Sequence, residues 1–257
     1  MVNKHAVIVT FPSSKWDVYG NCLRGFVEHW PSEVDCYAVV EQPQNIPIEL
    51  PSNVHVIDFD EHVRPRLNQF VERNKDKNIF DMGTTGNIAI QAVKFAHKAL
   101  AQLWVLENVD ADAIWYLDGD LYTHKPVSME LLNQLSSSDA YIGCTPRWWK
   151  PNGYTETGLM MWRKEFKEQH RQWCELYAEC YDKDKIFEFD AWHDCIAFDY
   201  ATKTLLQQKR IGLADFGYGV RSSHPLVSGP LGKYFDHMKG KRKFVGHSKE
   251  RVRMHGK

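Results

Sequence analysis

Two carboxylates separated by one glycine, Asp118-Gly119-Asp120, follow directly on the apolar run Ala113-Ile114-Trp115-Tyr116-Leu117. Carboxylates this close repel each other unless a cation lies between them. At the end of a buried strand, such oxygen donors suit a divalent metal that carries a phosphorylated substrate. Alternation along an extended chain would point Asp118 and Asp120 the same way, and Gly119 leaves the backbone between them open to close approach. The competing reading is a surface turn, because Asp-Gly-Asp is also ordinary turn chemistry. Lys94 and Lys98, four apart on one helical face, would meet the ligand's phosphates if their helix packs beside the carboxylates, and otherwise form a solvated face. From Leu231 to Lys257, nine Lys and Arg face two acids. A basic end on an otherwise neutral chain also suggests a phosphate-bearing ligand.

The elements that must position these groups read as alternating strands and helices. Ala6–Thr10 is a first, central strand, and Trp16, Tyr19, Leu23, Phe26 and Trp30 mark the helix after it, ended by Pro31. Val34–Val40 and Val54–Phe59 are further strands. Glu61–Gly86 is expected to hold an irregular helix and a mobile loop at Asp81–Gly86. Ile90, Val93, His97, Leu100 and Trp104 mark a long helix leading into the second central strand, Ala113–Leu117. Pro126–Leu135 suggests a short helix, and Ala140–Cys144 and Glu156–Trp162 two more strands. A helix from Lys164 to about Tyr181 buries Phe166, Trp173, Tyr177 and Cys180. Another opens near Asp190, which would cap it, with Asp194 deeper inside. The loop Arg147–Tyr154, with three large aromatics, reads as an acceptor-side wall or as packing on the protein's own surface. The expected fold is therefore α/β: a single Rossmann-like domain over residues 1–257, its mostly parallel sheet flanked by helices on both faces.

Composition narrows the function. The chain has 257 residues, 43% hydrophobic, 25% charged and 13% aromatic, with net charge −1. No global field favours nucleic acid or a membrane surface. Cys22, Cys36, Cys144, Cys174, Cys180 and Cys195 show no metal-ligand spacing and fit a reducing compartment. No segment approaches the length of a membrane span or a signal-peptide core, so a cytoplasmic protein is expected. The opening β-α-β lacks G-x-G-x-x-G, and Thr10-Phe11-Pro12-Ser13-Ser14-Lys15 is no P-loop, which argues against a dinucleotide enzyme or a P-loop kinase.

Taken together these residues resemble GT-A class glycosyltransferases. Asp118-Gly119-Asp120 is similar to their D-x-D motif, at the end of a central strand near mid-chain. The nearest pattern is that of the retaining glycogenin and lipopolysaccharide galactosyltransferase family. Its tail motif H-x-x-G-x-x-K is matched by His237, Gly240 and Lys243. Glu156-Thr157-Gly158 is a partial match to its N-S-G strand, and Asp194–Asp199 echoes its D-Q-x-x-L-N segment. The tail Pro230–His237 also resembles phage-encoded predicted glycosyltransferases.

The resemblance implies a nucleotide-sugar donor, a UDP-sugar by preference, and Mn²⁺ or Mg²⁺ held by Asp118, Asp120 and His237. His224 and His247 are rival third ligands. Thr10, Lys94, Lys98, Asp118 and Lys243 are then expected at the donor. Asp194 is expected under the sugar and Glu156 toward a saccharide or other hydroxyl acceptor, with retention of configuration. Residues 1–120 would form the nucleotide-sugar half, 121–230 the acceptor half and 231–257 a tail closing on the diphosphate. Two other readings compete: a carbohydrate-binding or scaffold protein on an inactive transferase fold, and a D-x-D phosphatase with Asp118 as nucleophile. Tyr122 in place of the usual Thr and the mid-chain position argue against the phosphatase.

Overall fold

The computed structural model describes residues 4–77, 91–137, 139–244 and 246–255. The expected loop Asp81–Gly86 and the helical position Ile90 lie outside the described residues.

A seven-stranded sheet organises the chain, in the order β3-β2-β1-β4-β7-β6-β8. Its strands are β1 (His5–Pro12), β2 (Asp35–Glu41), β3 (Val54–Asp58), β4 (Ala113–Leu117), β6 (Ile142–Thr145), β7 (Glu156–Arg163) and β8 (Leu213–Asp215). β1 pairs in parallel with both β2 and β4, so the two apolar runs expected to be central are central. β7 runs antiparallel to both β4 and β6, and β6 and β8 are parallel. The mostly parallel α/β fold is thus observed, with one reversed strand.

The uninterrupted apolar character of β1 and β4 has a direct structural cause. Side chains alternate between the two faces of a strand. Ala6, Ile8, Ile114 and Tyr116 enter one layer with Leu100, Trp162, Trp173 and Phe198. Val7, Val9, Trp115 and Leu117 enter the other with Phe26, Met161 and Phe216. Helices cover both faces. Ala92–Asn108, Lys167–Asp182 and Asp194–Gln207 contribute to the first layer, and Asn21–His29 to the second.

Some boundaries differ from the sequence expectation. The helix after β1 is broken into Trp16–Tyr19 and Asn21–His29. The helix expected to open near Asp190 begins at Asp194. Asp190 therefore does not cap it; His193, in extended conformation, is the residue before its first turn.

A second, two-stranded sheet pairs β5 (Leu121–Thr123) with β9 (Phe235–His237), antiparallel, with Leu121 opposite His237. The backbone N–H of Met238 donates to the Asp120 carbonyl at 2.9 Å. These few bonds clip the basic tail onto the end of β4.

Candidate active site

Strand order reverses beside β1: β2 and β3 lie on one side of it, β4 on the other. Ligands of open α/β sheets bind at such a point, outside the carboxyl ends of the strands. Asp118-Gly119-Asp120 leaves β4 there, beside the end of β1. The segment is a turn and not an extended continuation of the strand, because Leu121 N–H donates to the Asp118 carbonyl at 2.8 Å. Turn and paired-carboxylate readings therefore coincide. An added Cβ on Gly119 would come within 3.2 Å of Tyr19 and 3.5 Å of the Thr10 carbonyl, which shows how closely β1 and this turn approach.

Both carboxylates face one imidazole. His237 Nε2 lies 2.9 Å from Asp120 Oδ1 and 3.7 Å from Asp118 Oδ2. Donor atoms of Asp118, Asp120 and His237 all lie within 4.8 Å of one another. Two carboxylates and an imidazole are a donor set that Mn²⁺ accepts readily and Mg²⁺ tolerates. Of the three candidate histidines, His237 is the one brought to the Asp pair. His224 instead faces Glu156, with 3.4 Å between Nε2 and Oε1.

Two lysines complete the arrangement. Lys98 Nζ lies 2.7 Å from Asp194 Oδ2 and 3.2 Å from Asp118 Oδ2, and donates to the Thr157 carbonyl at 3.1 Å. Lys243 Nζ lies 2.9 Å from Asp120 Oδ2 and 4.3 Å from the centre of the Tyr19 ring. Burial alone would raise the Asp118 carboxyl, but Lys98 and His237 outweigh it and hold it well below the usual range. Burial and Lys239 oppose charge on His237, yet Asp120 and Asp118 outweigh them and push its pKa up to about 10.

The remaining expected residues fall differently. Thr10 ends the central part of β1 and is half-buried beside the turn. Lys94 is exposed, one helical turn from Lys98 and over the Phe95 ring, and among the described residues it has no ion pair with the carboxylates. Asp194 and Glu156 were expected to touch the sugar and the acceptor, but Asp194 is 2% exposed and Glu156 is 0% exposed. Asp194 is held by Lys98 and by the Thr157 hydroxyl, which donates to it at 2.7 Å. The direction of β7 explains Glu156. Because that strand runs antiparallel to β4, its first residues come alongside Asp118, whose N–H donates to the Gly158 carbonyl at 2.9 Å.

The aromatic loop divides its residues. Trp148 donates its indole N–H to Asp199 at 3.0 Å, so it packs on the protein's own surface, while Trp149 remains 41% exposed.

Thr157 and Gly158, noted in the sequence only as part of a partial N-S-G match, lie beside Asp118, Asp194 and His237. The signal was present in Gly158: a Cβ there would sit 2.4 Å from His237 Cε1 and Nδ1, so only glycine lets the imidazole pass.

Neither a protein-family model nor a curated relative matches the sequence. Among solved structures, the chain is similar to mouse xyloside xylosyltransferase 1 in its apo form. The two share 13% identity and a TM-score of 0.50, over 84% of this chain and 86% of that one. The fold is shared with a glycosyltransferase. The glycosyltransferase GlyE of Streptococcus pneumoniae TIGR4 is similar over 84% of this chain and 46% of its own, with TM-score 0.45 and 12% identity. In this fold, the carboxylate pair sits at the switch point of the sheet. No helix among the described residues is long and apolar enough to cross a membrane.

Proposed function

We propose that this protein transfers a sugar from a nucleoside-diphosphate sugar, with a UDP-sugar as the donor class, to a hydroxyl acceptor such as a saccharide. The observation that carries the reading is the convergence of Asp118, Asp120 and His237 on one point at the sheet's switch point. Asp118, Asp120 and His237 would hold Mn²⁺ or Mg²⁺, which when bound neutralises charge growing on the leaving diphosphate.

Lys98 fixes Asp118 in place, and Lys243 is poised over the same site to meet a phosphate. Fixed positive charge aimed at a leaving diphosphate stabilises it without reorganisation at the moment of reaction. Thr10 and Lys94 belong to the donor side of this reading, Lys94 through its place one turn before Lys98. The exposed ring of Trp149 belongs to the acceptor side, where an aromatic face suits a sugar.

The stereochemistry proposed is retention. Asp194, buried and paired with Lys98, is poorly placed as a nucleophile. The acceptor oxygen then bonds to the anomeric carbon as the carbon–phosphate oxygen bond breaks, and the acceptor proton passes to the leaving diphosphate. We take the chain as one transferase unit, with residues 231–257 closing on the diphosphate.

A thermal-shift screen of nucleotide sugars with and without Mn²⁺ tests the donor class. A ligand at about 100 times its dissociation constant stabilises the folded state by roughly 2.7 kcal/mol. A shift for UDP-sugars that needs Mn²⁺ is expected; no shift with any nucleotide sugar contradicts the reading.

A further inference from the structure

Glu156 stands out among the acids of the site because its carboxylate is completely buried. It is the first residue of β7 and 0% exposed. Its Oε1 lies 3.0 Å from His237 Nδ1, 3.3 Å from Lys239 Nζ and 3.4 Å from His224 Nε2. Its Oε2 has no hydrogen-bond partner among the described residues. A carboxylate this deeply buried is costly unless it is paired and hydrogen-bonded, and His237 and Lys239 supply that pairing. On the far side of the imidazole, the opposite ring nitrogen of His237 lies 2.9 Å from Asp120. One ring thus spans from the buried acid to the carboxylate pair.

We propose that Glu156 is a positioning residue, which accepts the Nδ1–H of His237 and so keeps Nε2 directed at Asp118 and Asp120. This rests on the metal reading above. A metal-ligating histidine commonly donates its other N–H to a carboxylate, which fixes the tautomer and orientation of the ring and raises its basicity. The structure supplies each part here. Gly158 leaves room for the ring, β9 pairing sets its height above the turn, and Lys239 balances the charge of the acid.

Glu156, His224 and His237 also bring donor atoms within 4.8 Å of one another, which raises the alternative of a metal in that place. That cluster offers one carboxylate where the Asp118–Asp120 site offers two, and a hard divalent cation favours the second set. Nε2 of His237 also faces the other way, toward Asp120.

Titration with Mn²⁺ alone, following the free ion by electron paramagnetic resonance, tests the assignment on wild type, Glu156→Gln, Glu156→Ala and Asp120→Asn. Loss of such an outer partner costs about 10- to 100-fold in metal affinity. We expect Glu156→Ala near the upper end of that range and Glu156→Gln near the lower, since Gln keeps an acceptor oxygen. Excess Mn²⁺ should restore kcat in both, which a merely structural defect would not allow. In Mg²⁺-saturated protein, ¹⁵N-resolved NMR of His237 should show Nδ1 protonated and Nε2 bare. The opposite tautomer, or unchanged Mn²⁺ affinity in Glu156→Ala, overturns the role of Glu156 alone. Wild type that fails to bind Mn²⁺, or Asp120→Asn that binds as well as wild type, overturns the metal reading and this inference with it.

Discussion

Asp120→Asn is expected to abolish sugar transfer while leaving the protein folded. Asp120 is the carboxylate that both His237 and Lys243 address, one on each oxygen, at 2.9 Å each. Asparagine has nearly the same shape but turns an N–H₂ toward one of those cations and removes the charge that would hold a metal. A bound metal supplies several kcal/mol of charge stabilisation, and about 1.4 kcal/mol is a factor of ten, so a loss of roughly a thousandfold or more is expected. Asp120 lies in the turn after the central strand β4 and outside both apolar layers, so circular dichroism should show an unchanged fold. Near-normal transfer by this variant would mean that the carboxylate pair has another role.

Lys98→Met is expected to be the most destabilising single change at the site. Its ammonium is the cation shared by Asp194, whose side chain is 3% exposed, and Asp118, whose side chain is 30% exposed. Removing one partner of a buried ion pair costs about 3–5 kcal/mol, because the other charge stays buried and uncompensated. Denaturant unfolding should show a loss of that size. The double variant Lys98→Met with Asp194→Asn should recover a large part of it, since asparagine can still accept the Thr157 hydroxyl. The pH dependence has a definite sign. Asp118 is held below its ordinary value, so its contribution to stability is fully present above about pH 4 and fades as pH falls through the lowered value. Without Lys98 that lowering weakens, and acid unfolding should begin at higher pH. A Lys98→Met protein as stable as wild type would contradict the pairing.

The layers of this protein were legible because burial on both faces leaves a plain mark in sequence. Val7-Ile8-Val9 and Ile114-Trp115-Tyr116 read as central strands and are central. The reversed direction of β7 was not legible, since apolar runs say nothing about which way a strand points. That direction is what brings Glu156 and Gly158 to the site. The docking of the tail was equally silent. β5 and β9 span three residues each, too short for a periodic signal. His237 was found through the spacing of His237, Gly240 and Lys243, and the structure then put it against the Asp pair. Spacing alone could not separate Lys94 from Lys98. Four residues place two lysines on one face of a helix, but only Lys98 lies within reach of the carboxylates. Asp194 and Glu156 lie near the carboxylate pair, each held by a cation. Their depth was not foreseeable, because it depends on Lys98 and His237 arriving from distant parts of the chain.

The most direct test of the central claim is release of nucleoside diphosphate from a panel of nucleotide sugars, in Mn²⁺ and in excess chelator, without added acceptor. Water is a poor substitute for the acceptor, but a site that stabilises the leaving diphosphate should still hydrolyse its donor slowly. The account predicts slow release from a UDP-sugar that requires the metal and disappears in Asp120→Asn. Release that persists undiminished in chelator, or no release from any nucleotide sugar with Mn²⁺ present, would contradict it.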